Sequence, residues 1–239
     1  MKVLVIKCLD DNFSYVVLDE TNNNACVIDP SESDPIIKII KRKKINLKYI
    51  LNTHHHPDHV GGNMELKREF NCNIAGFIGD KNNIPGINIF LKDKELFKED
   101  EFEFKTYHTP GHTAGHVIFH FYRQNILFTG DTLFSLGCGR IFEGSYDEMF
   151  KSLQLIKNFP KNTLIYFGHE YTRNNAKFCL ANDPDNIELN NKITKINELI
   201  DIGEPTTPSI LKEELETNIF LKSENIISFK KLRDLKDNF

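Results

Sequence analysis

Between Thr53 and Gly62 the chain reads Thr53-His54-His55-His56-Pro57-Asp58-His59-Val60-Gly61-Gly62, which places four candidate metal ligands, His54, His56, Asp58 and His59, within six residues. They follow the apolar run Tyr49-Ile50-Leu51, so a strand delivers them into a loop. Imidazole and carboxylate together are a donor set that divalent zinc, iron or manganese accepts. A hydrophobic core does not account for such density, because each buried polar side chain would need a partner of its own. The competing reading is a solvated histidine-rich surface loop. A metal loop needs further ligands from elsewhere in the chain, and that requirement separates the two readings.

The 239 residues suffice for one large α/β domain, with or without a small appendage. Net charge is −4, so no basic field points to nucleic acid. No apolar run approaches the ~20 residues of a membrane span, so no membrane partner is expected. The start, Met1-Lys2-Val3-Leu4-Val5-Ile6-Lys7, resembles the opening of a signal peptide. It turns acidic at Asp10-Asp11 before an adequate apolar region, and reads as a strand. Cys8, Cys26, Cys72, Cys138 and Cys179 are an odd number without a CxxC pair. Free thiols in a reducing compartment follow, and the expected location is cytoplasmic.

Short apolar runs at Val3 to Ile6, Tyr15 to Leu18, Cys26 to Ile28 and Leu47 to Leu51 predict strands, with a turn at Asp11-Asn12. Asp34-Pro35 opens a helix through Ile36, Ile37, Ile39 and Ile40, with Asp34 as its expected N-cap. A second helix is expected from Asn63 to Phe70, then a strand from Asn73 to Ile78 and a strand pair within Leu91 to Phe104. Val117 to Tyr122, Asn125 to Thr129 and Thr163 to Phe167 are further strands, and Tyr146 to Asn158 has helical spacing. After Tyr171 the alternation ends. Helices are expected at Asn174 to Ala181, Asn186 to Ile200, Ile210 to Glu216 (capped by Ser209) and Phe229 to Lys236. The organisation is a two-sheet α/β domain over residues 1–170 and a small helical domain over 171–239.

Three polar residues just beyond apolar strands supply the missing ligands: His112 in Pro-Gly-His-Thr, Asp131 in Phe-Thr-Gly-Asp-Thr and His169 in Tyr-Phe-Gly-His-Glu. Each follows a glycine, which lets backbone approach a crowded centre.

With these residues in place the sequence resembles the metallo-β-lactamase superfamily, whose signature T-H-x-H-x-D-H appears as Thr53 to His59. Within it the chain is similar to the glyoxalase II (hydroxyacylglutathione hydrolase) family. That likeness is carried by Thr109-Pro-Gly-His-Thr, Thr129-Gly-Asp-Thr-Leu-Phe, Gly137-Cys-Gly-Arg, Gly168-His-Glu-Tyr-Thr and Pro205-Thr-Thr-Pro-Ser. The resemblance implies an α/β fold, a four-layer αβ/βα sandwich with a small all-helical C-terminal domain. It also implies two divalent metal ions, zinc or iron, with manganese a further option. His54, His56 and His112 would hold one, Asp58, His59 and His169 the other, and Asp131 would bridge them. The implied reaction is hydrolysis of S-(2-hydroxyacyl)glutathione, chiefly S-D-lactoylglutathione, by a metal-bridged hydroxide, the second step of methylglyoxal detoxification.

Charge accounting agrees with that chemistry. Two divalent cations facing only two carboxylates, Asp58 and Asp131, leave the centre electropositive and pull the pKa of a bound water toward ~7. A thiolate leaving group needs no strong general acid. Asp58 is the candidate to orient or deprotonate the water. Cys138 has no evident base beside it and reads as a structural thiol. His55 should point away from its neighbours. His108, His116 and His120 read as core, surface or supporting residues, with His116 nearest to a functional role.

For the anionic thiol carrier, the resemblance assigns Arg233 and Lys236, an R-x-x-K pair on one helix face, together with Tyr171 and the Gly-Cys-Gly block. Two positions depart from the family's Lys and Tyr: Arg140 keeps the charge, and Phe142 lacks a hydroxyl. A persulfide dioxygenase of the same superfamily is the nearest alternative, but lacks the helical tail. A nuclease would carry a basic surface, and a non-enzymatic relative would have lost ligands. A monomer is expected, with a dimer as the alternative.

Overall fold

The computed structural model describes residues 1–239, and the chain divides into two compact units. One comprises Met1–His108 with Gly115–Gln124, the other Thr109–Ala114 with Asn125–Phe239.

In the first unit, β1 (Lys2–Cys8), β2 (Asn12–Asp19) and β3 (Asn24–Ile28) form an antiparallel meander. The helix α1 (Asp34–Lys43) crosses to β4 (Asn46–Leu51), which pairs parallel to β3. Then α2 (Pro57–Val60) and α3 (Asn63–Phe70) lead to β5 (Asn73–Phe77) and β6 (Ile89–Leu91), both parallel additions. The six strands lie in sequence order. A second ladder is antiparallel: β7 (Leu96–Glu99), β8 (Phe102–His108) and β9 (Val117–Phe121).

Alternation decides which residues meet. Val16, Val27 and Ile50 share one core with Ile36 and Ile40 of α1 and Leu66 of α3, so the two helices cover that face of the first sheet. Tyr49, beside Ile50, points the other way and meets Phe97 at 5.4 Å and Phe102 at 5.9 Å, edge-on. That contact packs β4 against the second ladder.

In the second unit, β10 (Ile126–Gly130) pairs parallel to β13 (Leu164–Phe167), with α4 (Tyr146–Lys157) between them in sequence. Ser145 and Glu148 close a capping box on α4. Two very short strands, β11 (Leu133–Phe134) and β12 (Gly137–Cys138), make a hairpin. The tail holds α5 (Thr172–Asn182), α6 (Ile187–Asp201), β14 (Ser209–Ile210), α7 (Leu211–Thr217), α8 (Ile219–Lys222) and α9 (Ile226–Asp237). No helix is long and apolar enough to cross a membrane.

Four local expectations are corrected. Asn12 is the first residue of β2 and is buried. The N-cap of α1 is Ser33, and Asp34 is already helical. Leu91 belongs to β6 in the first sheet, so the expected strand pair begins only at Leu96. Ser209 is no cap: it enters β14, which adds antiparallel to β13, and its hydroxyl goes to Glu214.

Candidate metal centre

The histidine loop leaves β4 and is closed by an amide pair. Asn63 Nδ2 donates to Asn52 Oδ1 at 2.8 Å, and Asn52 Nδ2 donates to the His59 carbonyl at 3.0 Å. Pro57 opens α2 at a position where no backbone N–H is needed. Gly61 is required by space, because a Cβ there would lie 2.4 Å from the Ser31 carbonyl oxygen.

Beneath the loop sits Asp29, 2% exposed, with φ of 46°. That left-handed conformation is tolerated best by Gly, Asn and Asp. Its carboxylate accepts from Thr53 N at 2.7 Å, Thr53 Oγ1 at 2.6 Å and His59 Nδ1 at 3.1 Å. A carboxylate only accepts, so His59 carries its proton on Nδ1 and presents the Nε2 lone pair. The Thr53 hydroxyl proton goes to Asp29, so its oxygen accepts from His54 Nδ1 at 3.0 Å. His54 therefore also presents Nε2. One buried carboxylate aims two imidazoles.

The His54 ring lies 4.1 Å from that of His59 and 4.7 Å from that of His56. Asp58 Oδ2 lies 3.6 Å from His59 Nε2, and Asn12 Nδ2 donates to it at 3.0 Å. His55 turns aside to buried Asp80 at 2.9 Å. His116 is buried and stacks on His54 at 4.8 Å. His108 stacks on Phe77 at 4.4 Å. Burial, aided by the nearby charge of Lys105, pushes the His120 pKa down to about 4, which marks a neutral core histidine.

In the second unit, β10 and β13 end side by side, and Gly168 N donates to the Gly130 carbonyl at 2.9 Å. The residues that follow are Asp131 and His169, whose Oδ2 and Nε2 are 3.3 Å apart. His112 Nε2 reaches the same oxygen at 3.4 Å. His112 Nδ1 faces the Arg140 carbonyl at 2.8 Å, which can only accept, so the neutral ring again presents its Nε2 lone pair. Lone pairs converging on a carboxylate oxygen repel one another unless a cation sits among them. Nitrogen and oxygen donors held this way fit divalent metal ions.

The candidate substrate residues cluster near this second set. Tyr171 stacks on His169 at 4.7 Å, the two ring planes nearly parallel at 5°. Phe142, 60% exposed, stands edge-on to His112 at 5.2 Å. Arg140 Nε donates to Asp237 Oδ1 at 3.2 Å. Arg233 is buried and donates to the Cys138 carbonyl at 2.9 Å and through its fork to Asp237 Oδ1 at 2.8 and 3.1 Å. Lys236 donates to the Asn174 carbonyl at 3.3 Å and lies over the Phe178 ring at 5.1 Å. Burial first, then Arg233, lowers its pKa. Burial pushes the Cys138 thiol up despite the adjacent Arg233, as suits a structural thiol.

Sequence reasoning missed Asp29, Asn12 and Asp237. The signal for Asp29 was available, since it follows the apolar run Cys26-Val27-Ile28 as Asp131 follows its strand. With Pro30 behind it, Asp29 reads as a mere strand end.

Residues 9–169 match the metallo-beta-lactamase superfamily, and residues 170–239 match the hydroxyacylglutathione hydrolase C-terminus. The chain is 55% identical over 239 residues to a hydroxyacylglutathione hydrolase of Pelagibacter ubique, covering 100% of both chains. It is 41% identical over 225 residues to one of Methylococcus capsulatus, covering 94% of this chain and 88% of that one. Among solved structures, ETHE1 from Myxococcus xanthus superposes with a TM-score of 0.75 at 20% identity, over 98% of this chain and 90% of that one. The BLEG-1 B3 metallo-beta-lactamase gives 0.73 at 20% identity, over 93% and 100%. At that identity these two show the fold alone, the α/β sandwich of mixed sheets and helices, here with a helical C-terminal region. Kinship and the aimed histidine and aspartate groups together make the chain a hydrolase that uses divalent metal. The chain belongs to the hydroxyacylglutathione hydrolases of the metallo-β-lactamase superfamily.

Proposed function

We propose that this chain hydrolyses S-(2-hydroxyacyl)glutathione, chiefly S-D-lactoylglutathione, to glutathione and a 2-hydroxy acid (D-lactate), the second step of methylglyoxal detoxification. The observation that carries the reading is full-length kinship at 55% identity, which extends through the tail that carries Tyr171, Arg233 and Lys236. Residues 1–170 would form the catalytic domain and 171–239 the substrate-binding domain of a cytoplasmic monomer.

Two divalent ions, zinc or iron with manganese as the third option, would be held by His54, His56 and His112 and by Asp58, His59 and His169, with Asp131 shared. When bound they supply an activated water and polarise the thioester carbonyl. The chain's own residues set the geometry around that chemistry. Asp29 and Thr53 aim His54 and His59. Asp58, steadied by Asn12, orients the attacking water or takes its proton. The departing thiolate needs no acid from the protein. Arg140, Arg233 and Lys236 supply the positive field for an anionic carrier, with Tyr171 beside it. Phe142 forgoes one hydrogen bond to that carrier, worth about 1 kcal/mol.

The test is loss of thioester absorbance with S-D-lactoylglutathione. His56→Ala should abolish turnover, and Lys236→Ala should chiefly raise KM. Oxygen consumption with glutathione persulfide and no thioester cleavage would overturn the proposal.

A further inference from the structure

The segment from Phe134 to Cys138 spans the turn of the short β11–β12 hairpin, and side chains of the helical tail hold its peptide groups one after another. Asn218 Nδ2 donates to the carbonyls of Phe134 at 3.3 Å and Gly137 at 3.1 Å. Asn175 Nδ2 donates to the Ser135 carbonyl at 3.1 Å. Leu136 N donates to Glu214 Oε2 at 2.8 Å, and the Leu136 carbonyl accepts from Cys179 Sγ at 3.1 Å. Arg233 Nη1 completes the series at the Cys138 carbonyl, and Asp237 takes the side chain of Arg140.

The other side of the same segment rests on two proposed ligands. A Cβ on Gly139 would lie 2.0 Å from the Asp131 carbonyl oxygen and 3.2 Å from His112 Nδ1. The next carbonyl, that of Arg140, accepts from His112 Nδ1 at 2.8 Å. Arg233 has spent Nε, Nη1 and Nη2 on Asp237 and Cys138, and it is buried. Its guanidinium thus ties α9 to the residues that aim His112.

We infer that Arg233, clamped by Asp237, is a positioning residue for His112: it fixes Cys138 to Arg140, and the Arg140 carbonyl then holds the His112 ring toward Asp131. This task is additional to any contact with substrate. It rests on the proposed function only in taking His112 as a metal ligand.

The experiment measures zinc affinity of the full chain by competition with a chromogenic chelator, beside the nitrogen-15 NMR signature of His112 in the metal-free protein. Loss of a group that orients a metal ligand weakens metal binding by about 10- to 100-fold. Arg233→Ala, acting through one further link, should fall at the lower end, about tenfold, with the His112 Nδ1 proton signal broadened or shifted. Arg233→Lys keeps a donor for the Cys138 carbonyl and should recover part of the loss. Lys236→Ala should raise KM while zinc affinity stays at the parent value. Unchanged zinc affinity and an unchanged His112 signal in Arg233→Ala, with KM alone raised, would overturn the inference. If Arg233→Ala does not fold, Asp237→Asn carries the test: weaker zinc binding supports the clamp, and parent affinity overturns it. A parent protein that binds zinc and shows these differences, yet cleaves no glutathione thioester, sinks the substrate assignment and leaves the clamp standing.

Discussion

Replacing Asp29 with asparagine changes almost no volume and removes one charge, so it isolates the acceptor role of this carboxylate. In the parent it accepts from Thr53 N, Thr53 Oγ1 and His59 Nδ1. Asparagine can still accept from the Thr53 N–H, but its amide N–H₂ then faces a hydroxyl and an imidazole N–H that both need an acceptor. Two hydrogen bonds to a buried charged acceptor, each worth about 1.5–3 kcal/mol, are lost or inverted. Part returns when Thr53 Oγ1 rotates to accept from the new amide, so the expected destabilisation is about 2–4 kcal/mol. That rotation turns the hydroxyl proton toward His54 Nδ1, and His54 and His59 both lose the partner that fixed their tautomers. Zinc affinity should then fall about 10- to 100-fold. The chain has no tryptophan, so urea unfolding is followed by circular dichroism. At an m-value of about 3 kcal/mol/M, the midpoint moves down by about 1 M. A midpoint within experimental error of the parent, with zinc affinity retained, would refute the argument that Asp29 aims the two imidazoles.

Further outcomes follow from other buried groups. Gly139→Ala forces a methyl to within 2.0 Å of the Asp131 carbonyl oxygen, so zinc retention and thioester turnover should both collapse, measured by metal analysis and absorbance. Lys192→Met leaves the fully buried Glu214 carboxylate without its cation, at a cost of about 3–5 kcal/mol, read as a fall in Tm. Burial alone pushes the Glu214 carboxyl up, but Lys192, Ser209 and the Leu136 N–H outweigh it and hold its pKa below the usual carboxylate value. The stability this supplies is present above the ordinary carboxylate pKa and is lost as pH falls. His120, neutral down to about 4 against 6.5 in the unfolded chain, acts in the same direction. Its contribution is complete above pH 6.5, declines as pH falls toward 4, and is worth about 3 kcal/mol at full development. The urea midpoint of His120→Asn should therefore decline less than that of the parent between pH 7 and 5.

The proposed metal ligands are the easiest part of such a chain to read, because each carries a local mark. Thr53 to Gly62 is contiguous, and His112, Asp131 and His169 each follow a glycine just beyond a strand. The expected helix from Asn63 to Phe70, entered through the Gly61-Gly62 turn, is α3 with the same bounds. The strand β14 escapes because two residues contain no periodicity, and it exists only because Ile165 offers Ser209 a ladder partner. Ser209 looks like a helix cap for the same reason: its hydroxyl is claimed by Lys192 and Glu214, which are distant in sequence.

What local marks do not reveal are the groups that aim the ligands, since their neighbours are chosen by strand register. Ile28 pairs with Leu51 in the parallel ladder, and this register alone brings Asp29 beside Thr53. Slipping it by one residue would turn the Asp29 side chain to the opposite face. Asp237 lies one turn beyond Arg233, so their pairing is legible on a helix, but their joint hold on Cys138 and Arg140 is not. A sequence that kept every motif ligand but lost Asp29 would therefore still look like a metal site. Its imidazoles would be free to turn, and the difference would show in metal affinity before it showed in any motif.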